Sequence, residues 1–205
     1  MEKVMGIDEL LKDIPDKREF SNTTSKQFKK DLYEILKDGN ANLCTCLEVG
    51  THHGYTTRIL SHIFKTVVTL DNKPENHIIA KALNKDRDNI VYITDDAYWN
   101  TWDNFKLPQY QVAFIDCGHN FHEVVSDTIN SIKHCQSDSL LFIYDDFGNP
   151  APTNGIGMVV RGYVESKFLE YKGYIGEGEG YTYGTGEGIR TLNDYEGVIC
   201  LWEKK

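Results

Sequence analysis

The chain has 205 residues, 40% of them hydrophobic and 26% charged, with a formal net charge of -9 and a pI of about 5.2. The length is enough for one sizeable α/β domain, and the composition is that of a globular protein rather than a disordered chain. The acidic balance argues against a protein that coats nucleic acid or an anionic membrane, because both would repel it.

The cysteine pattern and the N-terminus indicate a reducing compartment. The five cysteines are an odd number and form no C-x-x-C pair, which favours free core thiols over disulfides or a thiolate metal site. The N-terminal segment is charged and reaches Pro15 early, so it does not resemble a secretory signal. No apolar run approaches the roughly 20 residues that span a bilayer. We therefore expect a cytoplasmic protein.

Residues 1–40 predict an N-terminal helical extension. A short helix is expected around Ile7–Leu11, followed by a longer helix in SKQFKKDLYEILKDGN that ends at Gly39. The apolar side chains expected on one face of the longer helix are Phe28, Leu32, Ile35 and Leu36.

Residues 41–150 alternate between apolar runs and amphipathic segments. The predicted strands are NLCTCLEVG, KTVVTLD, NIVYITDDA, YQVAFIDCGH and SLLFIYDD. The predicted helices are YTTRILSHIF, a segment opened by Pro74, and FHEVVSDTINSIKHC. This alternation predicts a Rossmann-like, doubly wound α/β fold with a parallel sheet.

Residues 151–205 complete a single domain that spans 1–205. A helix is expected over Val159–Phe168, then a hairpin rich in glycine and tyrosine, then a final strand in GVICLW. The glycines of the hairpin alternate with glutamates, which would repel phosphate, so we favour a hairpin over an anion site.

Carboxylates follow each of the five predicted strands of the 41–150 region. They are Glu48, Asp71, Asp96, Asp116 and the pair Asp145 and Asp146. In open α/β sheets, ligands bind at the carboxyl ends of the strands. The sequence therefore predicts a ligand site along this edge.

A glycine turn follows the first strand in the pattern E-x-G-x-x-x-G. Gly50 permits a sharp turn, and Gly54 permits a ligand to approach the start of the next helix. His52 stands where a dinucleotide fingerprint has glycine, which weakens a pyrophosphate interpretation. Asp71, about 20 residues further on, is suited to accept hydrogen bonds from two ribose hydroxyls, although it could instead start a turn with Asn72.

These motifs together resemble a known family. LEVGTHHGYTT, VVTLDNK, ITDDA and VAFIDCGH are similar to the successive motifs of class I S-adenosylmethionine-dependent methyltransferases. Gly54, Tyr55 and Thr56 resemble the metal-dependent O-methyltransferases, and FIDCGHNFHEVVSDTINSI with LLFIYDDFG resembles the macrocin O-methyltransferase-like branch. The resemblance covers roughly residues 43–148, with a weaker match in EGVIC. It implies a seven-stranded, mostly parallel sheet with an antiparallel last strand.

The resemblance also implies a cofactor site. The amino-acid end of S-adenosylmethionine is expected at Glu48 and the turn from Gly50 to Gly54, the ribose at Asp71, and the adenine beside Asp96 and Ala97. The complete set of expected cofactor contacts is Glu48, Gly50, Thr51, Gly54, Tyr55, Thr56, Asp71, Asn72, Asp96, Ala97 and Asp116.

Three carboxylates are expected to converge at the ends of neighbouring strands. Asp116, Asp145 and Asp146 would raise one another's pKa, and a hard divalent cation such as Mg²⁺ would remove that repulsion. An isolated aspartate pair is more often a turn or a helix cap. With Asp116 and the family pattern beside it, we favour a metal site.

His119 follows Asp116 by three residues, and the resemblance assigns a general base to this position. Histidine can accept a proton near neutral pH, which methyl transfer to a hydroxyl requires. His122 is the rival base, whereas His52 and His53 are expected to shape the cofactor turn.

The leading hypothesis is an S-adenosylmethionine- and divalent-cation-dependent O-methyltransferase that acts on a hydroxyl of a small molecule or a sugar. The alternatives are a catechol-like or other phenolic acceptor, a non-catalytic S-adenosylmethionine-binding protein, and a nucleotide-binding dehydrogenase. His52 and the acidic cluster disfavour the dehydrogenase. No nucleic-acid or membrane partner is expected, and a homo-oligomer is compatible with the sequence.

Overall fold

A seven-stranded sheet forms the centre of the protein. The computed structural model describes residues 6–20, 22–95, 102–103, 106–151, 153–185 and 188–205. The strands of this sheet are β1 (Thr45–Val49), β2 (Thr66–Asp71), β3 (Ile90–Thr94), β4 (Val112–Ile115), β5 (Ser139–Tyr144), β6 (Glu170–Ile175) and β9 (Gly197–Glu203). Two further strands, β7 (Thr182–Thr185) and β8 (Gly188–Thr191), pair with each other as a separate hairpin.

The strand order is β3-β2-β1-β4-β5-β9-β6. Neighbouring strands from β3 to β5 are parallel, whereas β9 lies between β5 and β6 and is antiparallel to both. This confirms the predicted Rossmann-like, mostly parallel sheet with an antiparallel last strand. The order reverses at β1 and β4, where open α/β sheets place their ligands.

Six α-helices are described. They are α1 (Ile7–Leu10), α2 (Lys26–Leu36), α3 (Tyr55–Ile63), α4 (Pro74–Leu83), α5 (Phe121–His134) and α6 (Ile156–Glu165), and a 3-10 turn covers Asn40–Leu43. Within the described ranges, every helix is too short or too polar to span a bilayer.

The sheet is buried on both faces, so its inner strands are continuous apolar runs rather than alternating ones. The side chains of β4 alternate between the two faces. Ala113 and Ile115 pack on the side of α5 and α6, whereas Val112 and Phe114 pack on the side of α2 and α3. All five cysteines are free, and three of them, Cys46, Cys135 and Cys200, are buried.

Two local expectations differ from the structure. Helix α6 begins at Ile156, because Asn154 Oδ1 accepts the Ile156 amide at 3.1 Å, and it ends at Glu165, before Lys167 takes a left-handed conformation with φ 60°. The predicted range Val159–Phe168 is therefore shifted by about one turn. Ile35, expected on the packed face of α2, is 51% exposed.

The segment between α1 and α2 crosses the carboxyl edge of the sheet. The Phe20 ring stacks on His53, at a centroid separation of 5.4 Å, and Thr24 lies against Thr56 at the start of α3. Lys17 reaches the loop that follows β5. The N-terminal extension is thus part of the wall around the edge where ligands are expected.

Candidate functional site

A cavity of about 770 Å³ opens at the carboxyl ends of β1, β2, β4 and β5. Seven of the predicted catalytic, cofactor and metal residues line it, as does His52 of the glycine turn. The seven are Gly50, Asp71, Asn72, Asp116, His119, Asp145 and Asp146. Glu48, Thr51, Gly54, Tyr55 and Thr56 lie outside its lining. Asp96 and Ala97 lie outside the described residues.

The turn after β1 depends on left-handed backbone conformations. Gly50 has φ +104°, and a Cβ there would lie 1.9 Å from the backbone oxygen of Asp116. At Gly54, with φ +78°, a Cβ would lie 2.7 Å from Ala80 Cβ, so this glycine makes room for α4. His52, between them, also has positive φ, at 44°. Gly50 therefore lets the first turn press against the end of β4.

Glu48 is buried beneath this turn and belongs to a hydroxyl network. Its Oε2 accepts hydrogen bonds from Thr57 and Thr69, both at 2.6 Å, while its Oε1 has no hydrogen-bond partner in the described part of the chain. Burial raises the pKa of Glu48 to about 8 despite these two hydrogen bonds. The network continues from Thr69 to Thr51 and from Thr51 to His77. Glu48 thus supports the turn from below.

Asp71 is the carboxylate at the end of β2 that faces the cavity. Its oxygens accept the backbone amides of His52 at 2.8 Å and Lys73 at 2.9 Å, and the Asn76 side-chain amide contacts both at 3.0 Å. The two backbone donors fix the carboxylate in place. The Asn76 amide occupies the acceptor positions that two vicinal hydroxyls would need.

An acidic centre lies at the ends of β4 and β5. One ligand atom from each of Asp116, His119 and Asp146 falls within 4.8 Å of the other two. His119 Nε2 lies 2.9 Å from Asp146 Oδ2. Asp145 is buried beside them and lines the same cavity, and its Oδ1 has no partner among the residues described. The predicted ligands Asp116 and Asp146 are therefore together, with His119 rather than Asp145 as the third member of the cluster.

The pKa values within this centre diverge. Removal from water and the neighbouring aspartates raise the pKa of Asp116 well above its ordinary value. Burial raises the pKa of Asp145 to about 8, even though Lys17 opposes the shift. Burial also acts on Asp146, but Lys17 and His119 outweigh it and hold the pKa of Asp146 far below its usual range. Asp146 is therefore the permanent anion of the group.

The cation that stabilises Asp146 is Lys17, which the sequence analysis missed. Its Nζ donates to Asp146 Oδ1 at 2.9 Å and to Glu196 Oε1 at 3.2 Å, and its side chain is only 3% exposed. Nothing in the irregular N-terminal segment distinguishes this lysine from its neighbours. The sequence does hint at the position of Glu196. This residue directly precedes the antiparallel strand β9, which starts at the carboxyl edge of the parallel strands.

The middle of the chain is similar to a known protein family. Residues 47–147 match the model of a family described as a methyltransferase domain. No curated protein sequence matches the chain.

Solved structures show the same fold at low sequence identity. A cofactor-bound protein, Rv0187 from MTB, is 16% identical with a TM-score of 0.66, and the match covers 89% of this chain and 83% of that one. An SAH-bound methyltransferase from Podospora anserina is 13% identical with a TM-score of 0.63, covering 97% and 86%. A putative O-methyltransferase from Klebsiella pneumoniae is 16% identical with a TM-score of 0.58, covering 100% and 91%.

The methyltransferase-domain match contains every site residue predicted from the sequence. It begins one residue before Glu48 and ends one residue after Asp146. Lys17 and Glu196 lie outside it, in the segments that precede and follow the matched stretch. The acidic centre is thus built by the matched core, whereas its counter-cation is supplied from outside that core.

Proposed function

We propose that the protein is an S-adenosylmethionine-dependent O-methyltransferase that uses a divalent cation, Mg²⁺ by preference, and methylates a hydroxyl of a small polar molecule such as a sugar. The observation that carries the proposal is that Asp71 and the acidic centre line one cavity. A cofactor held at the end of β2 would then reach an acceptor held at the ends of β4 and β5. The methyltransferase-domain match supports it, as does the fold shared with the putative O-methyltransferase from Klebsiella pneumoniae.

The residues present fit the cofactor. Asp71 faces the cavity with a carboxylate already oriented by two backbone amides, and Gly50 leaves the backbone beside it without a side chain. Asp71 would accept the two ribose hydroxyls once the Asn76 amide turns away, and Asn72 lines the cavity next to it. When bound, S-adenosylmethionine supplies a sulfonium methyl group.

The residues also fit a hard divalent cation. Asp116 and Asp146 offer carboxylate oxygens, which Mg²⁺ prefers. Asp145, which lines the same cavity, adds the buried Oδ1, an oxygen with no hydrogen-bond partner in the part of the chain that the structure describes. When bound, the cation lowers the cost of ionising the acceptor hydroxyl.

His119 is proposed as the general base. Its side chain is 46% exposed, so an acceptor can reach it, and Asp146 orients the ring through the hydrogen bond to Nε2. His119 would accept the proton of the acceptor hydroxyl, and bound S-adenosylmethionine would supply the methyl group that this oxygen receives. The cavity would bring the two reactants together, and such positioning supplies a large share of the catalysis in a displacement.

The lining favours a polar acceptor over a flat aromatic one. Asparagine and threonine side chains face the cavity on the acceptor side, and Tyr183 is the single phenolic ring among the described lining residues. A polyhydroxylated molecule would find hydrogen-bond partners there, whereas a catechol would find little aromatic surface. The acidic centre and the net charge of -9 disfavour a polyanionic acceptor such as RNA.

The proposal is tested in two steps. Calorimetry with S-adenosylmethionine and S-adenosylhomocysteine should show binding in the absence of metal. Labelled S-adenosylmethionine, with a panel of sugars, polyols and phenols, should then give methylated product with Mg²⁺ and none with EDTA. Binding without turnover on any acceptor would favour the non-catalytic alternative, and the absence of cofactor binding would refute the methyltransferase assignment.

A further inference from the structure

Lys17 has no role in the proposed reaction, yet it lies in the centre of the site. Its ammonium group bridges Asp146 Oδ1 at 2.9 Å and Glu196 Oε1 at 3.2 Å, and it lies 5.1 Å from the centroid of the Tyr183 ring. The side chain lines the cavity although it is almost fully buried. An ammonium group is thus held against one of the carboxylates proposed to bind the metal.

The backbone around Lys17 is fixed by its neighbours. Asp16 accepts hydrogen bonds from the Tyr181 hydroxyl at 3.1 Å and, through its other oxygen, from the Lys26 amide at 3.1 Å. Arg18 forms an ion pair with Glu177 and lies over the Tyr181 ring. The segment is therefore tied to the start of α2 and to the region that leads into β7, which leaves the Lys17 side chain as the movable part.

Both oxygens of Asp146 already have partners. Oδ1 accepts from Lys17, and Oδ2 lies 2.9 Å from His119 Nε2. His119 can itself face a metal, because a neutral imidazole has a lone pair. A protonated lysine has three donors and no lone pair, so it cannot share a cation with Asp146 and is repelled by one nearby.

Glu196 offers the displaced ammonium a second position. Its Oε1 accepts from Lys17 and from the Ser25 amide at 2.8 Å, while its Oε2 is buried and has no hydrogen-bond partner in the described structure. Lys17 can therefore leave Asp146 and pair fully with Glu196 without entering water. A buried carboxylate oxygen without a donor costs free energy, so Glu196 would be stabilised in a state in which a donor reaches this oxygen.

We propose that Lys17 is a tethered cation that competes with the divalent metal for Asp146, and that it moves onto Glu196 when the metal binds. The inference rests on the metal part of the proposed function. The N-terminal segment then helps to set the metal affinity, because the Lys17 ammonium group must move away before the ion can bind Asp146.

The test measures Mn²⁺ affinity by the EPR signal of free Mn²⁺, so it needs no acceptor. Lys17→Met should bind Mn²⁺ at least tenfold more tightly than the wild type, because the competing charge is gone. Glu196→Gln should bind it severalfold more weakly, because the displaced ammonium loses its anionic acceptor. Lys17→Arg keeps the charge, so its Mn²⁺ affinity should stay within about threefold of that of the wild type. Lys12→Met changes an exposed lysine in the same segment and should have the Mn²⁺ affinity of the wild type.

The opposite signs separate competition from a structural role. If Lys17 only maintained the fold, both substitutions would disturb the site and weaken Mn²⁺ binding, and that result would overturn the proposal. Equal affinity in the wild type, Lys17→Met and Glu196→Gln would also overturn it. If Lys17→Met fails to fold, Glu196→Gln alone decides the matter. Mn²⁺ binding by Glu196→Gln that is as tight as in the wild type would refute the proposed movement of Lys17 onto Glu196. If no variant binds Mn²⁺, the metal site itself is absent, whereas calorimetry with S-adenosylmethionine still reports on the cofactor site.

Discussion

His119 Nε2 lies 2.9 Å from Asp146 Oδ2, so one carboxylate at the end of β5 fixes the orientation of an imidazole that follows β4. Burial opposes protonation of His119, but the hydrogen bond and the charge of Asp146 outweigh it and raise the pKa of the ring. A base needs the neutral ring, so turnover should rise with pH as the imidazole loses its proton, and a bound divalent cation, which favours the neutral ring, would lower the pKa at which this happens.

His119→Ala is expected to cut turnover roughly a hundredfold, because the acceptor proton loses its base. Affinity for S-adenosylmethionine should barely change. His122→Ala is the matched control, because His122 is the second residue of α5, three positions after His119, and it should keep most activity. A reversed pattern would make His122 the base, and full activity in both variants would mean that the protein supplies no base.

Metal titrations decide between Asp145 and His119 as the third ligand. We expect Asp116→Ala, Asp145→Ala and Asp146→Ala each to reduce Mn²⁺ affinity at least tenfold. Asp145→Ala and Asp146→Ala should leave cofactor binding intact, because both residues follow β5 and none of the expected cofactor contacts does, whereas Asp116 is among the expected contacts of both sites. His119→Ala should reduce Mn²⁺ affinity far less. The opposite result would be loss of Mn²⁺ binding in His119→Ala with little effect in Asp145→Ala. It would make Asp116, His119 and Asp146, the cluster seen in the structure, the metal ligands. His119 would then not be the base.

Asp71→Ala should weaken S-adenosylmethionine binding by about 1–3 kcal/mol, since it removes the acceptor for two ribose hydroxyls. Calorimetry measures this directly. Asp88→Ala, an exposed aspartate just before β3, is the control and should bind like the wild type. Unchanged affinity in Asp71→Ala would exclude Asp71 from the cofactor site.

The sheet and its carboxylate edge were predictable because they follow from local pattern. A run such as VAFI is apolar throughout because β4 is buried on both faces, and the carboxylates come where each chain segment leaves the sheet. Lys17 and Glu196 were not found, because their meeting depends on how segments 179 positions apart fold over the edge. Glu48 illustrates a second limit. Its position in the motif was clear, but only the structure shows it beneath the turn with Thr57 and Thr69.

The buried carboxyl of Glu48 gives stability a pH dependence of known sign. Its pKa rises from 4.5 to about 8 on folding, so the native state keeps a proton that the unfolded chain releases over that range. The free energy of unfolding should therefore fall as pH rises from 4.5 to 8, by up to about 1.4 kcal/mol per pH unit from this group.

Glu48→Gln removes the titrating group and keeps an oxygen that accepts from both threonines. Urea denaturation across this range should show the variant gaining stability relative to the wild type as pH rises. Other raised carboxyls, such as Asp145, act equally in both proteins and cancel in the difference. A difference that stays constant with pH would mean that Glu48 is ionised in the native state.

Two glycine substitutions should have opposite effects on stability, and the contrast tests the turn after β1. Gly50→Ala places a methyl group 1.9 Å from the Asp116 backbone oxygen at φ +104°, so the ends of β1 and β4 must separate, at a cost of about 3 kcal/mol or more. Gly162, exposed in α6, has no heavy atom within 4 Å of an added Cβ, and Gly162→Ala should stabilise by about 0.5–1 kcal/mol through helix propensity. Urea denaturation of both variants measures the difference.

Because Gly50 also lines the cavity, Gly50→Ala should lose cofactor affinity even where it remains folded, whereas Gly162→Ala should bind the cofactor as the wild type does. A Gly50→Ala protein with native stability would show that the turn does not press against β4 as the structure has it.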